Sequence, residues 1–131
     1  MIGKVIGGLL SDSTAIQSKV SDRIFPYSID EEANLPAITY KVNSSVPEYT
    51  KSGLEYDTTN VEVVVFSESY LDCLTIAQYV RSTLGLYKGT YTDSGTEVIQ
   101  SRVASITEGF DFTANVYFLK TTFTIKQKTI L

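Results

Sequence analysis

The chain of 131 residues contains no histidine and no tryptophan, one cysteine, one methionine and three prolines. Without histidine it lacks the commonest general base and the commonest metal ligand, which excludes a Ser-His-Asp or Cys-His apparatus. A single cysteine cannot close an intramolecular disulfide, and this suits a reducing compartment. Cys73 lies on the apolar stripe of a predicted helix and reads as a packing residue. Lys and Arg total 11 against 15 Asp and Glu, a net charge of −4, and no Lys/Arg cluster longer than a pair occurs. That speaks against a surface that wraps nucleic acid. No apolar run approaches the roughly 20 residues needed to span a bilayer. The stretch from Met1 to Leu10 is broken by glycines and followed by Ser-Asp-Ser, which is not a signal-peptide cleavage pattern, so the protein reads as soluble. This length predicts one domain, residues 1–131, with a core of its own.

The richest signal runs from Asp57 to Gly85. Thr59, Val61, Val63 and Val65 alternate onto one face of a β-branched strand, and Asn60, Glu62, Val64 and Phe66 onto the other. Ser69, three residues before Asp72, reads as the N-cap of a helix. Cys73, Leu74, Ala77, Val80 and Leu84 then recur at helical spacing, with Tyr70 and Ile76 beside the stripe, and Gly85 is expected to end the helix in the left-handed conformation.

Upstream, Ile2, Val5, Ile6, Leu9 and Leu10 mark an amphipathic helix that Gly3, Gly7 and Gly8 weaken by about 1 kcal/mol each. Ser13 reads as the cap of a second, short helix with Ala15, Ile16 and Val20 inward. Arg23 to Tyr27 is a brief extended segment ended by Pro26, and Ile38, Tyr40 and Val42 form the core face of a further strand. The polar stretch from Ser44 to Tyr56 reads as a long hairpin arm. Leu86 to Thr96 reads as an exposed excursion. The strand from Glu97 to Thr107 has no settled inward face, because Ile99 and Val103 compete with Val98, Ala104 and Ile106. In the last strand Tyr117, Leu119, Phe123 and Ile125 line one face, with Val116 and Phe118 on the other. This order predicts an α+β fold: an antiparallel four-stranded sheet with helices packed on one face and a long hairpin arm.

No chemistry-bearing constellation emerges. Asp30-Glu31-Glu32 reads as a solvated charge run, Glu68 and Asp72 as helix-start acids. Gly85 to Thr90 follows a helix rather than preceding one, so no helix N-terminus points at an anion. Neither an enzyme nor a cofactor is expected. Apolar surface remains: with helices on the Val61–Val63–Val65 face, Val64, Phe66, Val116 and Phe118 project from the back of the sheet, where water-facing antiparallel sheets usually carry polar residues. Either this is a contact surface or the segment Leu86–Thr96 folds over it.

Four pieces carry a family resemblance: Asp22-Arg-Ile-Phe-Pro26; Leu35-Pro-Ala-Ile-Thr-Tyr40; Val61-Glu-Val-Val-Val-Phe66 running into Ser69-Tyr-Leu-Asp72 and Val80-Arg-Ser-Thr-Leu84; and the strand from Phe110-Asp-Phe112 to Ile125. In order and spacing the chain resembles the tail-completion proteins of long-tailed bacteriophages, the tail-terminator and tail-to-head joining group. The resemblance implies a small α+β subunit of a ring, commonly of six copies, at the head-proximal end of the tail. Such a ring caps the tail tube, docks to the head connector or head-completion protein, and passes DNA through its lumen without specific binding. It also implies residence in the neck or tail of a virion assembled in the host cytoplasm, with no membrane partner. Head-to-tail rings need two different complementary patches per subunit; the arm, through Tyr49, Leu54 and Tyr56, is expected to reach a neighbour's Val64, Phe66, Val116 and Phe118. The alternatives are another neck component (a head-completion or connector ring), a tail-tube component, or a cellular binding module.

Overall fold

In a computed structural model of the chain, residues 2–29, 34–49, 55–91 and 95–129 are described. Helices α1 (Ile2–Asp12), α2 (Thr14–Val20) and α3 (Tyr70–Leu84) accompany strands β1 (Ile24–Pro26), β2 (Ala37–Tyr49), β3 (Glu55–Ser67), β4 (Gly89–Thr90), β5 (Thr96–Asp111) and β6 (Val116–Thr129). The strands form one six-stranded sheet in the order β1-β2-β3-β6-β5-β4, curled into a half-barrel.

This corrects the expected antiparallel four-stranded sheet. The four long strands do pair antiparallel, but each edge gains a short strand. β1 joins β2 in parallel: the Ile38 N–H donates to the Arg23 carbonyl at 3.0 Å and the Tyr27 N–H to the Tyr40 carbonyl at 2.8 Å. The Arg23 guanidinium also donates to the Pro36 carbonyl at 2.9 Å, which holds the segment in place. β4 pairs with β5 at Gly89–Val98 and Thr90–Glu97. A segment of two or three residues carries too few alternating positions to announce a strand by pattern, so the sheet is both wider and mixed in direction.

The three helices share one face of the sheet. Val61, Val63 and Val65 are buried under them with Ile38, Leu119, Phe123 and Ile125. α1 buries Ile2, Val5, Ile6 and Leu10. Two of its glycines, Gly7 and Gly8, are there for close approach. A Cβ on Gly7 would stand 2.5 Å from the Tyr40 hydroxyl, and one on Gly8 would run into the Tyr91 ring. Packing against β2 and the segment after α3 thus replaces the helix propensity those glycines forgo. Ser13 and Ser69 cap α2 and α3, accepting from the Ile16 and Asp72 N–H groups. Two local expectations fail. Ala15 is exposed, because a helix of seven residues buries only Ile16 and Val20. Gly85 caps α3 in the right-handed region, φ −62°, its N–H donating to the Arg81 carbonyl, so the helix simply runs one residue further before the chain leaves.

β5 shows why its inward face could not be read from alternation. Its pairing with β6 shifts between Val98 and Gln100 and again between Val103 and Ser105. Each bulge inserts one unpaired residue and reverses the parity. The helix-side residues are therefore Val98, Ser101, Val103, Ile106, Glu108 and Phe110, opposite Gln127, Ile125, Phe123, Thr121, Leu119 and Tyr117.

Candidate subunit interface

The back of the sheet carries the predicted apolar residues in register. Phe66 lies beside Phe118, with Ala37 flanking Phe66 and Gly109 flanking Phe118. Phe66 and Phe118 are half-buried. Phe118 spreads over Gly109, where a Cβ would come within 2.7 Å of its ring. Val64 is half-buried in the next row, between Thr39 and Lys120. Val116, opposite Asp111, is buried at 7 % exposure, so it contributes little surface. The described part of Leu86–Thr96 does not cover this face. It lies on the helix side, where the Tyr91 hydroxyl donates to the Asp12 carboxylate at 2.7 Å.

Because Gly109 leaves room for that ring, Gly109→Ala is expected to lever Phe118 outward and to cost about 1 kcal/mol. A thermal melt checks this: the melting temperature falls in the wild-type background and stays unchanged when Phe118 is already alanine.

Below the aromatic pair the back turns polar. Glu62 sits between Lys41 and Lys120, with Nζ–Oε distances of 3.4 Å and 3.2 Å. Desolvation pushes its carboxyl up, but the hydrogen bonds and charges of Lys120 and Lys41 outweigh that and hold it below the usual carboxylate value. The charged row bounds the Phe66–Phe118 patch on its lower side.

The arm is a continuous hairpin, paired from Ser44–Asn60 to Tyr49–Glu55. Its outer strand exposes Val46 and Tyr49, the latter at 71 %. Tyr56 is half-buried with the Lys126 ammonium 5.4 Å above its ring centre, a cation–π contact within this subunit. Leu54 and the acidic run Asp30-Glu31-Glu32 lie outside the described residues.

A third surface escaped the sequence reading. Beside α3 an open groove of about 370 Å³ is lined by Leu71, Leu74, Gln78, Arg81, Ile106 and Leu119, among others. Leu71 is 73 % exposed and Ile106 48 %. α3 leans over β3 and β6 more than over β5. At the groove's upper end the Tyr70 hydroxyl donates to Glu108 at 2.9 Å, which raises the phenol's pKa. Tyr117 packs against both Tyr70 and Phe110. Leu71 stands off the helix's buried stripe and could have been flagged as unexplained. Ile106 could not, because its face depends on two bulges.

Among the described residues no group of three or more His, Cys, Asp or Glu could hold a metal ion, and no helix is long and apolar enough to cross a membrane. Cys73 is buried with its thiol donating to the Val65 carbonyl at 3.5 Å. Burial, with a smaller contribution from the Glu108 charge, pushes its pKa up to about 11, which leaves it unreactive at neutral pH.

No protein-family model matches the chain, and no curated protein matches its sequence. Among solved structures it is similar to a chain of the virion of a native gene transfer agent particle. The likeness has a TM-score of 0.73 at 8 % sequence identity and covers 93 % of this chain and 90 % of that one. At that identity what the two chains share is the fold.

Proposed function

We propose that this chain is a structural subunit of a phage-like virion, a tail-terminator or tail-to-head joining protein. It works as a ring, of six copies in the form the family resemblance implies, that caps the tail tube and docks to the head connector. The observation that carries the reading is the shared fold with a virion chain over nearly the whole of both chains. The surface supports it: the exposed Val46 and Tyr49 of the arm, the Phe66–Phe118 pair with Val64 and Val116 at its margins, and the groove beside α3 give one subunit several unlike apolar patches. Unlike, complementary patches are what head-to-tail closure requires. The chain's net charge of −4 suits a wall past which DNA slides, since like charge keeps phosphates from adhering. Its place is then the neck or tail of a particle assembled in the host cytoplasm, with no catalytic step.

Light scattering and negative-stain microscopy of the purified protein, alone and with isolated tail tubes, test this. Closed rings and capped tube ends are expected. A folded protein that stays monomeric under both conditions and ignores tube ends overturns it. Rings that stack along the tube or bind only connectors point instead to a tail-tube or another neck component.

A further inference from the structure

The sheet ends in two unlike edges. β1 covers β2 only at Ile38–Tyr40, and β4 covers β5 only at Glu97–Val98. Among the described residues, the outer edge of β2 from Lys41 to Tyr49 and that of β5 from Ile99 to Asp111 therefore have no strand beside them. Free edges of this length are ready templates for another chain unless something blunts them.

Backbone alternation says which groups point outward. Ile38 and Tyr40 bond to the β1 side, so Thr39 and Lys41 bond to β3. Carrying the alternation through the paired registers leaves Ile106, Glu108 and Phe110 with N–H and C=O directed away from β6. Ser105 to Asp111 contains no Pro, no Lys and no bulge, and residues 104–108 are exposed. On β2, the bulge between Val42 and Ser44 resets the phase so that Ser45, Pro47 and Tyr49 point outward. Pro47 withholds one donor there; Ser45 and Tyr49 keep theirs.

We propose that the outer edge of β5 from Ser105 to Asp111 receives the arm of a second copy of this chain as an added antiparallel strand, with Tyr49 of that copy entering the groove beside Ile106, Leu71 and Arg81. The inference rests on the ring reading and names the contact that closes the ring, in place of the sheet back as the arm's receptor. Three observations select a second copy as the occupant. Donor and acceptor lie on opposite edges of the same sheet, the arrangement that repeats head to tail. β2 and β5 run in opposite directions within a subunit, so a neighbour turned about an axis along the strands presents β2 antiparallel to β5. The phase agrees as well: Ser45, Pro47 and Tyr49 are both outward-bonding and on the helix side, as are Ile106, Glu108 and Phe110.

Cysteine cross-linking tests the contact, and the buried, unreactive Cys73 leaves a clean background. Tyr49→Cys protein is mixed with Ile106→Cys protein, and in parallel with Leu71→Cys protein, then oxidised and run without reductant; circular dichroism confirms that each variant is folded. Each mixture is expected to yield a covalent dimer that neither variant gives alone, and the double variant Tyr49→Cys/Ile106→Cys a ladder ending at the ring. Rings without these cross-links, or with Tyr49→Cys linking instead to Val64→Cys on the sheet back, overturn the inference and leave the ring reading standing. A protein that is monomeric alone and on tail tubes overturns both.

Discussion

Phe123→Ala is expected to remove about 3–5 kcal/mol of folding stability, the largest loss from a single truncation in this chain. Phe123 is the bulkiest of the fully buried side chains, at 0 % exposure. It lies between Val61 on β3 and Val103 on β5, both β-branched neighbours on the helix side. Its removal costs the transfer free energy of the ring and leaves a cavity that rigid strands on either side cannot collapse. Against a typical total of 5–15 kcal/mol that is a large fraction, so the melting temperature should fall by roughly 10 °C or more. Thermal and urea denaturation check it. A loss below about 1 kcal/mol would mean that α3 settles into the void, and that the helix layer is far more plastic than its capped ends suggest.

The second large effect belongs to Glu62. Glu62→Leu is expected to cost about 2 kcal/mol, because it leaves the Lys41 and Lys120 ammoniums facing one another without a counter-charge. Glu62→Gln should cost about half as much, discounted because both lysines remain partly in water. The dependence on pH separates the charge from the shape. With its folded pKa held below the ordinary carboxylate value of 4.5, Glu62 stabilises the native state fully above that value, and the contribution fades as pH falls below it towards the depressed folded pKa. Wild type and Glu62→Gln should therefore differ by a constant amount at neutral pH and converge in acid. A gap that persists in acid would assign the effect to packing.

Much of this architecture could be read directly from residue order. The β3 alternation, the caps at Ser13 and Ser69, the α1 stripe and the two faces of β6 all stand as their periodicities predict, because each is a local signal repeated over several residues. The edges could not be read. β1 and β4 are too short to show a period, and they are what make the sheet mixed and six-stranded rather than antiparallel and four-stranded. The surface was legible in halves. The register of Phe66 against Phe118 follows from two well-patterned strands, whereas the burial of Val116 and the tucking of Phe118 over Gly109 depend on neighbours distant in sequence. The groove beside α3 needed both a helix position and a strand phase, and the phase was hidden by two bulges.

Those bulges have an evolutionary corollary. The side of the sheet on which Ile106, Glu108 and Phe110 emerge is decided by a tally of residues between Val98 and Ser105 rather than by the chemistry of any one of them. Losing a single codon in that interval while both bulges persist would slip the register by one residue and carry the whole upper lip to the opposite side. Length change, more than amino-acid replacement, is thus the quickest way for a lineage of such chains to exchange one neighbour for another.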